Sequence, residues 1–536
     1  MSVSTPPPPS ASSAGSAKRI AHSTGVLALT TGVSRILGFV RDLLIARTFG
    51  TLAAAQAFVV AFRLPNLMRD LVAEGAVSSA FIPVLSWYRA KGKADDYWRL
   101  SQVLLSRMVV MLAIITLVGT LGAPLIVRLI APGFSADPEK LQLAVRLTHI
   151  LFPLIFLVGL WAYFTGVLNS LRHFAMPALG PAIMNLAMIV ACLWFVPRVK
   201  PGIVALAIGV MVGGVIQVLI QVPVAMRLGF RLRWRWRHPG SREVMRLLGP
   251  RTVGSAVYQL SVMVDTALAS LSGIVGDGAV AALYYANRLV QLPLAVFGTA
   301  TAQASLPALS EHAAHDDLVS FHRTLLAVLR MVGFVIMPAS VGLAVLAMPI
   351  VGGLFERGAF DHRATLMTSY ALIAYSVGLL GFSVNKVLTG AFYALRETRI
   401  PVRLAIEAVV ANMILSVLLM FPMKIAGLAL ATSITNLFNA NRLLRHMERR
   451  LGTPLLARLA GPFVRILLAS LMMGAGCWLV WTVADFAARP VLGLTITILV
   501  AFVLYGIACT VTQVHELSKV LRWLGRLPLF QIFGNE

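Results

Sequence analysis

From residue 26 to residue 513 the chain is a succession of apolar runs, about fourteen of them, each near or beyond the roughly 20 residues that a helix needs to cross a bilayer. Nothing constrains its fold more. Lipid offers no water to backbone N–H and C=O groups, so a spanning segment must close its hydrogen bonds within itself or in a sealed barrel. The expectation is an all-α polytopic membrane protein with about 14 transmembrane helices. The charged content agrees: 12% of the 536 residues are Asp, Glu, Lys or Arg, against about 25% in soluble proteins. The runs at 53–88 and 278–311 are longer than needed and contain Pro65, Pro83, Pro293 and Pro307. Kinked or locally unwound helices are expected there, as tolerated where backbone lines a cavity.

The net charge of +25 would suggest nucleic acid in a soluble domain. Here much of it lies in short loops, where Lys and Arg set orientation and meet anionic membrane lipids, so no nucleic-acid partner is expected. The loop after the sixth run holds Arg227, Arg231, Arg233, Arg235, Arg237, Arg242 and Arg246; that after the twelfth holds Arg445, Arg449, Arg450 and Arg458; that after the second holds Arg89, Lys91 and Lys93. All three follow even-numbered spans, which makes that side cytoplasmic and puts both termini there. Loops after odd spans, such as APGFSADPEK and SGIVGDGA, are poor in basic residues, with Arg198 and Lys200 a minor exception. The start, MSVSTPPPPSASSAGSAKR, lacks the apolar core of a signal peptide and is expected to be a disordered tail. Cys192, Cys477 and Cys509 are far apart in apolar runs and fit small buried residues, not a metal or disulfide framework.

An internal repeat runs through the chain. GVLNSLRHFAMP at 166–177 matches GAFYALRETRIP at 390–401, with Gly166 and Gly390, Arg172 and Arg396, and Pro177 and Pro401 all 224 residues apart. SSAFIPVLS at 78–86 resembles QASLPALS at 303–310, and LLSRM at 104–108 resembles VLRM at 328–331, at nearly that offset. The expected organisation is a disordered cytoplasmic tail at 1–20, an N-lobe of helices 1–6 at 21–235, a C-lobe of helices 7–12 at 236–450, and helices 13–14 with an amphipathic basic C-terminal tail at 451–536. Two six-helix lobes in parallel internal repeat suit a transporter whose site lies between them.

Four arginines, Arg35, Arg41, Arg69 and Arg288, lie inside the apolar runs. A charge in the bilayer interior costs several kcal/mol or more unless it faces a watery cavity or an ionic partner. Arginine cannot shed its proton, and its planar fork fits phosphate oxygens. The set points to a cavity for an anionic, phosphorylated substrate; the alternative is interfacial snorkelling or internal salt bridges. Asp42 and Asp70 follow Arg41 and Arg69 directly, where they can orient and partly neutralise neighbouring arginines. Asp265 lies mid-run and needs a partner. Asn412 and Ser416 share a helix face by their spacing. Glu407 and Lys386 are further intramembrane charges, able to pair with each other or with Arg403. No GxxxxGK[ST] is present, so ATP hydrolysis is not expected.

The run SRILGFVRDLLIARTFG, then AFRLPNLMRDLVAEGAVSSAFIPVLSWY, then YYANRLVQLP resembles the MurJ (MviN) family. These are lipid II flippases of bacterial cell-wall synthesis, within the multidrug/oligosaccharidyl-lipid/polysaccharide exporter superfamily. The resemblance covers nearly the whole chain beyond residue 20. It implies movement of undecaprenyl-diphosphate disaccharide-pentapeptide from inner to outer leaflet of the bacterial inner membrane by alternating access, in peptidoglycan synthesis, with no bond made or broken. It implies that helices 13 and 14 form a groove for the lipid tail. Arg41, Arg69 and Arg288 would be the essential set around the diphosphate, with Arg35 and Asp42 supporting them. A sodium site in the second lobe is implied too, at Asp265, Asn412, Ser416 and Thr432, and no other cofactor. Lipid II, membrane lipids and cell-wall synthesis or division proteins are the expected partners. Gln56, Asp70, Asn287 and Gln291 depart from residue types common in the family. Two alternatives stay open: an exporter of another lipid-linked glycan or of drugs within that superfamily, and a non-transporting membrane scaffold whose basic loops recruit enzymes.

Overall fold

The computed structural model describes residues 11–69, 81–484, 486 and 489–524, and every regular element among them is helical. The chain forms two compact units, one from Met1–Thr48, Ala57–Leu129 and Pro138–Ala256, the other from Phe49–Gln56, Ile130–Asp137 and Val257–Glu536. In chain order the helices up to the division are α1 (Ala11–Phe49), α2 (Ala53–Arg69), α3 (Ile82–Ala90), α4 (Ala94–Leu121), α5 (Ala123–Ile130), α6 (Pro138–Leu151), α7 (Leu154–Ser170), α8 (Ala175–Val190), α9 (Gly202–Leu219), α10 (Val222–Arg227) and α11 (Gly240–Ala269), within which the division falls. Then come α12 (Ser272–Val275), α13 (Ala279–Pro293), α14 (Ala300–Ala314), α15 (Leu318–Val345), α16 (Ala347–Phe355), α17 (His362–Ala394), α18 (Arg399–Leu451), α19 (Leu455–Val483), α20 (Pro490–Val511) and α21 (His515–Leu524). Helix α1 begins inside the stretch expected as a tail.

Ten helical stretches among the described residues are long and apolar enough to cross a membrane, fewer than the sequence count. Arg399–Leu451 is one of the ten, yet it is two helices: just after Pro422, Lys424 takes φ 51°, ψ −129° and breaks it. The run at 53–88 passes through residues outside the described set. Charges such as Arg35, Arg41 and Asp42 in α1, and Arg242, Glu243 and Asp265 in α11, dilute the apolar character of those two helices. The outward surfaces are those of a protein in lipid: Leu121, Leu125, Phe502 and Val483 are 63–74% exposed. The irregularity expected around Pro293 is present, as a π-helical turn at Leu294–Thr299 joining α13 to α14.

The repeat is written into the backbone. Helices α4 and α15 begin at Ala94 and Leu318, α6 and α17 at Pro138 and His362, α8 and α18 at Ala175 and Arg399, each pair 224 residues apart. Arg172 and Arg396 both sit at positive φ, 63° and 59°. The N–H of His173 donates to Leu168 O at 2.8 Å, and that of Glu397 to Phe392 O at 2.9 Å. This is the same left-handed helix stop, closing the last carbonyls of α7 and of α17.

In the first unit an aromatic core holds Tyr97, Tyr163, Phe164 and Phe230 beneath α3, α4 and α7. In the second, α17 and α18 approach so closely that a Cβ on Gly378 would lie 2.5 Å from Ser433 Cα, and one on Gly381 2.7 Å from the Leu437 nitrogen. Ser433 Oγ donates to Ala374 O at 2.6 Å, and Asn385 Nδ2 to Asn436 O at 3.0 Å, along the same seam. Val514, Leu517 and Val520 pack against Phe334, Met337 and Tyr505, and residues beyond 524 lie outside the described set. The three cysteines are free and buried.

Candidate functional site

Arginine and carboxylate meet one another at once in α1. Arg41 and Asp42 are 7% and 2% exposed, and Arg41 Nε and Nη2 donate to Asp42 Oδ1 at 3.0 and 2.7 Å. Desolvating either ion alone costs several kcal/mol, so burial demands the pair. Arg41 Nη1 also donates to Asn185 Oδ1 on α8 at 2.8 Å and lies 4.0 Å from Met188 Sδ. Asn185 in turn donates through Nδ2 to Ser34 O at 2.9 Å. A Cβ on Gly38 would come within 3.2 Å of that same amide nitrogen, so the glycine leaves Asn185 room to bridge the two helices. Asn185 was missed in the sequence reading; a lone Asn in PAIMNLAMIV was the available signal. Arg35 is exposed where Arg41 is buried, as a spacing of six on a helix dictates. Arg69 ends α2 and is exposed, and Arg63 is half-buried. Asp70, Glu74 and Gly75 lie outside the described residues.

In the second unit Arg288 belongs to one face of α13. Its Nη2 donates to Tyr284 Oη at 3.1 Å and its Nη1 to Gln291 Oε1 at 3.5 Å, and its guanidinium lies 4.9 Å from the Tyr284 ring centre. Gln291 Nε2 donates to Asn287 Oδ1 at 2.7 Å. Positions 284, 287, 288 and 291 fall on one helical stripe, so Asn287 and Gln291 help to hold the arginine's surroundings. Gln56 is buried and donates to Asp277 Oδ1 at 3.0 Å and to Thr51 O at 3.1 Å. An acid at Gln56 would face another carboxylate.

The expected cation ligands are brought together in part. Asn412 Nδ2 donates to Asp265 Oδ1 at 2.9 Å and to Ser261 Oγ at 3.4 Å. Asn412 and Ser416 are 3% and 0% exposed, and Asn412 Oδ1 and Ser416 Oγ are buried without a hydrogen-bond partner. Thr432 Oγ1 donates to Leu428 O of its own helix at 3.2 Å. Asn412 Oδ1 and Ser416 Oγ, four residues apart on one helix face, are oxygens of the kind a hard cation takes, and the Asn412 amide ties them to Asp265. Among the described residues no three His, Cys, Asp or Glu side chains gather as a metal cluster. Glu407 pairs with Arg403 at 2.9 Å and with Arg442, while Lys386 Nζ donates to Thr299 Oγ1 at 2.7 Å.

Comparisons with known proteins bear on these arrangements. The family model described as lipid II flippase MurJ matches residues 45–501. A probable lipid II flippase MurJ of Vibrio cholerae is 37% identical over 88% of this chain and 91% of its own. That of Haemophilus influenzae is 34% identical over 91% and 100%. A solved structure of lipid II flippase MurJ, in an inward closed conformation, superposes with a TM-score of 0.76 at 27% identity, covering 90% of this chain and 98% of that one. An inward-facing multidrug resistance MATE family transporter of the MOP superfamily superposes at 0.66 with 15% identity over 80% and 98%, a likeness of fold alone.

Proposed function

The chain belongs to the MurJ family of lipid II flippases, and from that premise we infer how its own residues handle the cargo. It is a multi-pass membrane transporter of lipid II that serves peptidoglycan synthesis. The match over residues 45–501 carries this reading. We propose that the headgroup crosses by alternating access, inner to outer leaflet, with no bond made or broken, and that both termini are cytoplasmic. The basic loops after even-numbered spans support that orientation.

Arg41, Arg69 and Arg288 are proposed to engage the diphosphate, with Arg35 and Asp42 supporting. Guanidinium groups replace the water that phosphate oxygens lose on leaving the leaflet surface. The ion pair with Asp42 and the bond to Asn185 orient Arg41 in an apolar surrounding, and an arriving diphosphate would exchange with these acceptors. The test is expression in cells depleted of their native lipid II flippase. Growth and access of lipid II to the outer face should both return. If the protein reaches the membrane and lipid II stays inside, the cargo is another lipid-linked glycan and the assignment falls.

We also propose that Asp265, Asn412, Ser416 and Thr432 hold a sodium ion, which would supply fixed positive charge beside the intramembrane carboxylate. The orphaned oxygens of Asn412 and Ser416 support this. Sodium at tenfold its Kd should stabilise the detergent-solubilised protein by about 1.4 kcal/mol, relative to an organic cation at equal ionic strength. The melting shift should vanish in Asp265→Asn. An equal shift in that variant, or none in wild type, would remove the site.

A further inference from the structure

Between α10 and α11 the sequence reads Phe230, Arg231, Leu232, Arg233, Trp234, Arg235, Trp236, Arg237, His238. This stretch has no regular secondary structure but is held at both ends and along its length. Phe230 is 4% exposed and packs by its ring against Phe164 at 5.6 Å and Trp98 at 6.1 Å. His238 packs on Tyr88 at 5.4 Å and accepts from the Gly240 N–H through Nδ1 at 3.1 Å. Burial pushes the His238 imidazole pKa down, against the pull of Asp96. Between these anchors α4 grips the backbone. Gln102 Nε2 donates to Arg231 O at 2.9 Å, Ser106 Oγ accepts from Arg235 N at 3.1 Å, and Arg107 Nη2 donates to Trp236 O at 2.7 Å. Each pair is 129 residues apart, so the strap runs along α4 in a fixed register.

Arg231, Arg233, Arg235 and Arg237 alternate along the strap with Leu232, Trp234 and Trp236. Leu232 is 67%, Trp234 59% and Trp236 52% exposed. Further along α4 the exposed residues turn wholly apolar, with Met111 at 51% and Ile114 at 56%. The strap therefore lies where the basic side of the protein gives way to its lipid-facing surface. Tryptophan favours that level of a membrane, and arginine there meets lipid phosphate.

We propose that residues 231–237 form a binding edge for anionic phospholipid headgroups, with Leu232, Trp234 and Trp236 entering the leaflet and the four arginines taking the lipid phosphates. Four guanidinium forks along the edge can take more than one lipid phosphate. An RNA or acidic protein would use the arginines but leave Leu232, Trp234 and Trp236 in water. The site rests on the orientation of this loop in the membrane and not on the identity of the cargo.

The test is tryptophan quenching in nanodiscs by brominated lipid, read as the difference between wild type and Trp234→Phe/Trp236→Phe. Brominated phosphatidylglycerol as the minor component in phosphatidylcholine should quench these two tryptophans beyond its bulk fraction. High salt should weaken the excess. Replacing all four arginines with glutamine should reduce it at least about fivefold, the worth of one surface arginine, and replacement with lysine should preserve much of it. Quenching that follows the bulk fraction in wild type overturns the proposal. So does the absence of quenching both by brominated phosphatidylglycerol and, in a separate series, by brominated phosphatidylcholine, which would leave the strap in water for a protein or RNA partner. The wild-type salt series decides the matter even if the glutamine variant fails to fold.

Discussion

Arg41→Lys should reach the membrane folded and lose most of its lipid II flipping. Lysine keeps the charge that Asp42 needs, so the buried carboxylate is not stranded. It cannot reproduce the fork that reaches Asp42 through Nε and Nη2 and Asn185 through Nη1. Each charge-assisted hydrogen bond contributes about 1.5–3 kcal/mol, so loss of one such bond in the transported state predicts a fall of at least about tenfold. Arg41→Ala is a poorer probe, because removing one partner of a buried ion pair costs about 3–5 kcal/mol in stability. The comparison to make is growth in flippase-depleted cells, outer-face access of lipid II, and protein level in the membrane, for wild type, Arg41→Lys and Asn185→Ala. Full activity of Arg41→Lys would reduce Arg41 to a generic counter-charge for Asp42. Normal flipping by Asn185→Ala would mean that the α1–α8 bridge does not orient the arginine for transport.

Gly381→Leu should prevent the second unit from folding. The nearest atoms to a Cβ at Gly381 are the Leu437 nitrogen at 2.7 Å and the Asn436 carbonyl carbon at 2.8 Å, both backbone. No rotamer change relieves such a contact; α17 and α18 must separate. Separation would break the Asn385–Asn436 hydrogen bonds and open a seam closed over a long helix pair. Overpacking of this kind costs about 1–3 kcal/mol or more, and lost polar contacts across membrane helices add about 0.6 kcal/mol each. The melting temperature in detergent should fall sharply, or the protein should be degraded before purification. Gly390→Ala is the matched control, since its nearest neighbour is Leu306 Cδ1 at 3.8 Å. A Gly381→Leu protein that melts like the control would show that the two helices are not held at this distance.

The all-helical fold, the repeat and the intramembrane charges were legible in the sequence because each is a local property. Hydropathy is summed along a helix, and the offset of 224 appears in identical residues before any coordinate is known. Partnerships were less legible. The pairing of Arg41 with Asp42 was suggested by adjacency, but its bridge to Asn185 spans 144 residues, and nothing in one sequence ties those positions together. Asp265 demanded a partner and Asn412 offered one, a match of chemistry more than of pattern. The strap along α4 was visible only as a run of basic residues. That its backbone is gripped in register emerges from three side chains on another helix. Glu407 was ambiguous among several cations, and the fold resolved it in favour of Arg403 and Arg442.

The common backbone plan of the two halves has a consequence for how ions are told apart. Arg41 and Asp265 are mates under the 224-residue offset, as are Met188 and Asn412. The same socket, helix for helix, thus holds a guanidinium beside Met188 in one half and a carboxylate beside Asn412 in the other. Under the roles proposed for these residues, each half would discriminate the sign of a ligand by its side chains alone. The difference in polarity rests on a few side chains at matching backbone positions, so an anion and a cation would not have to compete for one place.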